Sequence, residues 1–176
     1  MRSINTAQAQ QFERVILPHL DAAYNLARWI VQDDRDAEDV VQEACLRALK
    51  FFGAFRGEEG RPWLLSIVRN VSYTWLHQHR SHEIHVEFDE EKHAAGSSDD
   101  RPDTVFERKV DSETLKKALE GLPVEIREVI VLRELECLSY KEIADLVEIP
   151  IGTVMSRLAR GRERLQRRLV RPRQGD

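Results

Sequence analysis

Arginine is concentrated near the end of this 176-residue chain in a pattern suited to binding phosphate. Residues 152–173 hold eight arginines and one acidic residue, Glu163. On an α-helix, one face would carry the following side chains: Thr153, Ser156, Arg157, Arg160, Arg164 and Arg168. Guanidinium groups bind phosphate oxygens, and polar side chains at a helix N-terminus can reach base edges. The pattern suits DNA, although a charge run alone is equally typical of a solvated helix face.

The residues before this basic helix favour the DNA interpretation. Ser139 and Glu142 form an S-x-x-E capping box for a short helix through Val147, and residues 148–150 supply a tight turn. The opposite face of the last helix, from about 152 to 169, is apolar or small: Val154, Leu158, Gly161, Leu165 and Leu169. A short helix, a turn and a longer helix predict a helix-turn-helix whose second helix enters the major groove, with Gly161 permitting close packing. Its affinity for DNA should fall steeply with salt.

A second basic segment, residues 61–80 (RPWLLSIVRNVSYTWLHQHR), combines three arginines with aromatic residues and has no acidic residue. This composition suits single-stranded nucleic acid, because bases stack on aromatic rings while arginines follow the backbone. Helical spacing predicts a buried side made of Trp63, Ile67, Val71 and Trp75. The same spacing leaves Arg69, Asn70, Tyr73 and His77 for contact with the strand.

The preceding helix, 36–52, carries an acidic stripe that contains one leucine. Its apolar face is continuous from Ala37 to Phe52. The other side holds Asp36, Asp39, Gln42, Glu43 and Leu46. A lone exposed leucine is common, but a leucine among carboxylates also fits a docking surface for a basic, partly apolar partner helix.

Neither the histidines nor the cysteines favour a metal site or catalysis. His77, His79, His82 and His85 are loosely spaced and have no fixed acidic partner, so a solvated segment is expected there rather than a metal site. Cys45 and Cys137 form no CxxC pair and are predicted to be buried thiols. The sequence contains no glycine-rich phosphate loop and no nucleophile arrangement. We therefore expect no catalytic residue, no cofactor and no enzymatic activity.

We expect a globular protein that stays in the cytoplasm. Hydrophobic residues make up 41% and charged residues 33%, no segment has the length and apolarity of a membrane span, and residues 1–11 do not resemble a secretion signal. The net charge of −4 is unevenly distributed: residues 81–112 carry four basic and ten acidic side chains. We predict an all-α protein with helical domains at 8–80 and 112–170, joined by a flexible acidic linker at 81–111.

Four segments, in this order, resemble the extracytoplasmic-function (ECF) sigma factors of the sigma-70 family. They are DAEDVVQEACLRAL (36–49), FRG (55–57), PWLLSIVRN (62–70) and LSYKEIADLVEIPIGTVMSRLARGRERL (138–165). The resemblance implies a transcription initiation factor that joins the RNA polymerase core, with sigma region 2 at 8–80 and sigma region 4 at 112–170. It also implies a response to envelope or environmental stress, and an anti-sigma factor that holds the protein inactive.

The resemblance assigns a role to each predicted surface. It implies that Asp36, Asp39, Gln42, Glu43 and Leu46 bind a coiled coil on the largest catalytic subunit of polymerase, while region 4 meets the flap. It implies that one loop and the helix after it bind the −10 promoter element and separate its strands. The residues concerned are Phe55, Arg56, Gly57, Arg61, Arg69, Asn70, Tyr73 and His77. It implies that the −35 element is bound by Tyr140, Thr153, Met155, Ser156, Arg157, Ala159, Arg160 and Arg164. Met155 and Ala159 offer few hydrogen bonds to bases, so DNA shape would supply part of the specificity.

Two other functions remain open from the residues. A helix-turn-helix transcriptional regulator could bind DNA without joining polymerase, although the N-terminal half lacks the alternating strands and helices of a receiver domain. A small helical metalloenzyme could use the histidines. Association with core polymerase would separate the first from a sigma factor, and metal analysis would test the second.

Overall fold

The structure is a computed structural model that describes residues 6–57, 59–79 and 111–170. The regular structure in these ranges is entirely helical, which confirms the all-α prediction. The first group of helices is α1 (Thr6–Ile16), α2 (Leu20–Val31), α3 (Asp34–Phe51) and α4 (Gly60–His79). The second group is α5 (Ser112–Glu120), α6 (Val124–Ile130), α7 (Tyr140–Val147) and α8 (Ile151–Val170). Most of the predicted linker lies outside the described residues.

The N-terminal unit is a bundle in which α2, α3 and α4 pack against one another. The predicted apolar face of α3 forms much of its core: Ala37, Val40, Ala44, Ala48 and Phe52 are buried. Asp33 caps α3 because its carboxylate accepts hydrogen bonds from the backbone N–H groups of Arg35 and Asp36 at 2.9 and 3.0 Å. These hydrogen bonds lower the pKa of Asp33, so its charged form is favoured at the helix N-terminus.

Helix α4 is rotated relative to the predicted burial pattern. The buried side chains include Leu64, Leu65, Val68 and Leu76, while Trp63, Ile67 and Trp75 are only partly buried. The prediction was correct for Val71 and wrong in register for the rest, because α4 packs against α2 and α3 and also against α7 of the second unit. The helix also begins two residues before Pro62, at Gly60, where any Cβ would overlap the carbonyl oxygen of Val15.

In the C-terminal unit, α6 packs across α8, and a π-helical turn at Val131–Leu135 follows α6. An ideal Cβ on Gly161 would lie 2.8 Å from Ile130 and 2.9 Å from Ile126, so the predicted close approach at this glycine is confirmed. Val154 and Leu158 are fully buried beside it. The second unit is therefore organised around the inward side of α8.

The cysteines differ from the prediction of two buried thiols. Cys45 is partly buried, and burial raises the pKa of its thiol. Cys137 is exposed and lies in the left-handed region with φ 56°. The turn between the π-helical segment and α7 places it outside the core, so the prediction was wrong for Cys137.

Candidate nucleic-acid and partner-binding surfaces

The helix-turn-helix prediction matches the geometry of α7 and α8. Ser139 accepts a hydrogen bond from the backbone N–H of Glu142 at 3.1 Å, and the Glu142 carboxylate accepts one from the backbone N–H of Ser139 at 2.6 Å. These bonds lower the pKa of Glu142. Glu148 ends α7 in the left-handed region with φ 60°, and α8 begins at Ile151. The reciprocal cap therefore fixes the start of α7, and the tight turn after Val147 sets the angle at which α8 leaves it.

The predicted DNA-contacting residues of α8 share one accessible side, called here the basic face. It comprises Thr153, Met155, Ser156, Arg157, Ala159, Arg160 and Arg164. Arg160 and Arg164 are exposed, and Met155 retains 53% of its accessible surface. Thr153 and Arg157 are partly buried. A long helix with exposed guanidiniums along one side is able to lie against a polyanion.

Two side chains near the basic face have structural contacts. Arg168 does not extend the face as its spacing predicted: it donates hydrogen bonds to the carbonyl oxygens of Ala118 and Gly121 at 2.9 and 3.0 Å. A cation there satisfies the free carbonyls at the end of α5. Tyr140, a predicted contact, lies beneath the guanidinium of Arg133, 4.9 Å from the ring centroid.

The predicted docking residues on α3, the acidic surface, consist of Asp36, Asp39, Gln42, Glu43 and Leu46. Leu46 keeps 59% of its accessible surface, and Asp39, Gln42 and Glu43 are exposed around it. Asp36 is partly buried, and desolvation raises the pKa of its carboxyl. Glu43 pairs with Arg47 one turn later, at 2.7 Å. An exposed leucine among carboxylates is the arrangement predicted from the sequence.

The loop after α3 builds a small aromatic wall. The Phe55 ring stacks on Phe52 with centroids 5.7 Å apart and meets Trp63 at 4.9 Å. Arg56 donates a hydrogen bond to the carbonyl oxygen of Gly53 at 2.8 Å. Both Arg56 and Gly57 are exposed. The loop therefore offers ring surface and a guanidinium side by side.

The remaining predicted contacts lie on α4 and form what we call the α4 face: Arg61, Arg69, Asn70, Tyr73 and His77. Asn70 and His77 are exposed. Arg69, however, forms a bidentate pair with Glu128 of α6, with nitrogen–oxygen distances of 2.8 and 3.1 Å. Glu128 is fully buried, and its burial raises the pKa of its carboxyl while Arg69 opposes that shift. Part of the α4 face is thus covered by the second helical unit.

Tyr73 lies within the same contact. Its ring is under the Arg69 guanidinium at 4.5 Å, and its buried hydroxyl has no hydrogen-bond partner among the described residues. Burial, followed by the negative charge of Glu128, raises the pKa of Tyr73. The hydroxyl thus carries a desolvation cost in this arrangement.

Arg61 makes the second charged contact between the units. It donates to the carbonyl and the carboxylate of Glu136 at 2.5 and 2.6 Å, and Asn25 of α2 donates to the same carboxylate at 2.7 Å. Glu136 is 6% exposed. Arg61 and Arg69, both predicted to contact nucleic acid, are therefore held by glutamates of the C-terminal unit.

Arg127 was missed by sequence reasoning, as were Glu128 and Glu136. Its guanidinium donates to the carbonyl oxygens of Trp29 and Ile30 at 2.5 and 3.4 Å, where α2 ends. It also donates to Leu122 at 2.6 Å, within its own unit. The sequence did contain a signal for these buried charges: Arg127 and Glu128 are adjacent within an apolar segment, VEIREVIVL at 124–132. Charged residues are rarely buried unless they are paired, so this pattern indicates that both have partners.

Neither a metal centre nor a membrane span is visible in the described part of the chain. Residues 6–57, 59–79 and 111–170 contain no cluster of histidine, cysteine, aspartate or glutamate able to hold a metal ion. His82 and His85 lie outside those ranges. Among the described helices, none is long and apolar enough to cross a bilayer.

Both helical units match known protein families. Residues 15–82 match the model of sigma-70 region 2, and residues 112–165 match that of sigma-70 region 4. The RNA polymerase sigma-H factor of Pseudomonas aeruginosa is 30% identical, covering 94% of this chain and 90% of its own length. The ECF RNA polymerase sigma-E factor of Haemophilus influenzae is 32% identical, covering 82% of this chain and 79% of its own length.

A solved structure has a similar arrangement along nearly its whole length. It is the sigma factor RpoE of Bartonella quintana, crystallised with the anti-sigma factor NepR. It is 28% identical to this chain and has a TM-score of 0.71; the match covers 91% of this chain and 97% of the Bartonella chain. CnrH, solved with the cytosolic domain of CnrY, shares the fold at 22% identity and a TM-score of 0.62.

Proposed function

Because the chain belongs to the ECF branch of the sigma-70 family, we propose that its two helical units divide promoter recognition between them. The protein is an RNA polymerase sigma factor, a transcription initiation factor. The observation that carries the proposal is the coincidence of two sigma-70 regions, in order, with two helical units that each present a predicted nucleic-acid face. The proposed action is recognition and strand separation, without covalent chemistry, in the cytoplasm.

The acidic surface is the proposed docking site for the polymerase core. Leu46 can insert into an apolar position of a partner helix, while Asp39 and Glu43 pair with basic side chains around it. The proposed partner is a coiled coil on the largest catalytic subunit. Charges at the edge of such a contact speed association, and the buried leucine supplies affinity.

The −10 element is assigned to the loop after α3 and to the α4 face. Opening the duplex costs a few kcal/mol for each base that leaves the stack, and protein contacts offset that cost. The ring of Phe55, backed by Phe52 and Trp63, can stack on an extruded base. Arg61 and Arg69 can pair with phosphates of the single strand once they are free of their glutamate partners.

The −35 element is assigned to the basic face of α8. The N-terminal part of α8, with Thr153 and Ser156, would lie at base edges, while Arg160 and Arg164 meet phosphates. Met155 and Ala159 supply apolar contact to thymine methyl groups. An anti-sigma factor is a further proposed partner, because the similar Bartonella sigma factor was solved bound to one.

Run-off transcription tests the proposed function. Purified chain and core polymerase are incubated with fragmented genomic DNA of the source organism, and the transcripts are sequenced from their 5′ ends. We expect discrete start sites preceded by shared −10 and −35 sequences, which disappear when the chain is omitted. DNA binding without association with core polymerase, and no new start site, would instead indicate a regulator that does not join polymerase.

A further inference from the structure

The α4 face that we assign to the melted strand is also the place where the C-terminal unit docks. We propose that Glu128 and Glu136 are an intramolecular mask: in the free chain they occupy Arg69 and Arg61 and so compete with single-stranded DNA. This inference rests on the proposed function of the α4 face and adds a regulation of that face. The mask is released when the C-terminal unit moves away from α4.

The geometry of the first pair resembles phosphate recognition. A bidentate carboxylate places two anionic oxygens against Nε and Nη2 of Arg69, at 2.8 and 3.1 Å. A phosphate group of DNA offers the same two-oxygen arrangement to a guanidinium. The Glu128 carboxylate therefore occupies positions that phosphate oxygens would take, and one guanidinium edge cannot serve both.

The second pair follows the same principle at the start of α4. Both the side chain and the backbone carbonyl of Glu136 accept from Nη2 of Arg61. Asn25 holds the other carboxylate oxygen, so Glu136 is fixed from two helices of the N-terminal unit. The two masked arginines are separated by eight residues, about two helical turns, so the mask extends along α4.

Several features allow the C-terminal unit to separate from α4 at little cost. Buried ion pairs lose much of their Coulomb energy to desolvation, so their net contribution to closure is small. The Tyr73 hydroxyl is buried without a partner, and opening would return it to water. Arg157 of α8 also approaches Glu128, at 3.9 Å. Because Arg157 belongs to the same unit as Glu128, it stays beside that carboxylate when Arg69 leaves, so opening exposes the α4 face without leaving Glu128 without a cation.

Charge reversal on the full chain tests the mask. Glu128→Lys and Glu136→Lys each place a cation against a masked arginine and should open the chain. Glu134→Lys is the matched control: it makes the same charge change in the same segment, but Glu134 is exposed and pairs with Arg162 of its own unit. Circular dichroism checks that each variant retains its helices.

Two quantities are measured for each protein without polymerase. The first is the affinity for a fluorescein-labelled, mixed-sequence single-stranded DNA, and the second is the radius of gyration from small-angle X-ray scattering. We expect Glu128→Lys and Glu136→Lys to bind the strand about tenfold more tightly than Glu134→Lys, if the closed form outnumbers the open form by about nine to one. Their radius of gyration should increase, while that of Glu134→Lys matches the wild type.

Two results would overturn the mask. In one, the two variants expand but bind the strand no better than the control; in the other, neither variant that retains its helices expands. Run-off transcription by the wild type with core polymerase separates these failures from a failure of the proposed function. Transcripts with either negative result refute the mask alone, whereas their absence refutes the function on which it rests.

Discussion

The α4 face and the basic face of α8 use similar chemistry but differ in accessibility. Arg69 and Arg61 on α4 are bound by glutamates of the other unit, whereas Arg160 and Arg164 on α8 are exposed. The difference follows from packing: α4 contacts α7, and α2 contacts α6, while the outer side of α8 faces away from the N-terminal unit. A basic sequence pattern therefore identifies residues able to bind nucleic acid, and tertiary contacts decide whether they are available.

The largest expected effect is on DNA affinity, when arginines of the basic face are removed. Arg160→Ala with Arg164→Ala removes two phosphate contacts, so the affinity for −35 duplex DNA should fall about 10- to 100-fold. The slope of log affinity against log salt should decrease by about two. Fluorescence anisotropy across a salt series measures both quantities.

Arg162→Ala is the control for this double variant. Arg162 lies on the same helix but points about 200° away from Arg160 and Arg164, and it pairs with Glu134 of its own unit at 2.6 Å. Its loss should change the salt slope by less than one unit. Equal effects from both variants would mean that total charge, rather than the basic face, determines binding.

The acidic surface sharpens the comparison, because it is accessible in the same unit that carries the masked face. Asp39→Ala with Leu46→Ala should weaken binding to core polymerase about tenfold, since an anchoring leucine and its charged neighbour are both lost. Thermal stability should stay close to that of the wild type, because Leu46 is largely exposed. Biolayer interferometry with immobilised core polymerase measures the affinity.

Leu17→Ala is the matched apolar control. Leu17 is 43% exposed and belongs to the turn between α1 and α2. It should bind polymerase as the wild type does. A loss equal to that of the double variant would contradict a docking site centred on Leu46.

The packing beneath the basic face can be broken without touching its arginines. Gly161→Ala introduces a methyl group that clashes with Ile130 and Ile126, so the C-terminal unit should lose about 1–3 kcal/mol of stability. Gly152→Ala, at a position with open space around it, should cost nothing comparable. Urea denaturation followed by circular dichroism measures the two changes; similar destabilisation by both would contradict the close approach at Gly161.

A smaller effect is expected at the cap of the helix-turn-helix. Ser139→Ala should cost about 1 kcal/mol at neutral pH by removing the side-chain half of the capping box. Bonding to Ser139 lowers the pKa of Glu142 from its ordinary value of 4.5, so the folded state gains stability above that value and loses it as pH falls through the lowered pKa.

Thermal melts of Glu142→Gln and the wild type across this acidic range measure that contribution. The difference between their melting temperatures should shrink as the pH falls below 4.5. A difference that is constant with pH would mean that the carboxylate does not stabilise the cap.

Local patterns predicted most of the fold because they depend on neighbours in sequence. The capping box at Ser139 and the small inward residue at Gly161 were correct, and so was the exposed Leu46. The contacts between the units could not be predicted in this way. They bury Arg127 and Glu128, and hydrophobic periodicity treats charged residues as exposed.

The same limitation explains the error on α4. A helix with one buried side shows that side as an apolar stripe, but α4 contacts helices from both units. Its buried positions therefore include Ser72, and its tryptophans are shared between core and surface. Accessibility at the candidate sites thus depended on a partner surface some sixty residues away in the chain, as for Arg69 and Glu128.

Hydroxyl-radical footprinting of the full chain, with and without core polymerase, measures whether the acidic surface and the α4 face change accessibility when polymerase binds. The exposed Leu46 and the partly buried Tyr73 both yield oxidation products that mass spectrometry can quantify. We expect polymerase to lower the modification of Leu46 because the acidic surface docks, and to raise that of Tyr73 because the α4 face is uncovered. Unchanged modification of both residues in a mixture that supports run-off transcription would contradict both expectations.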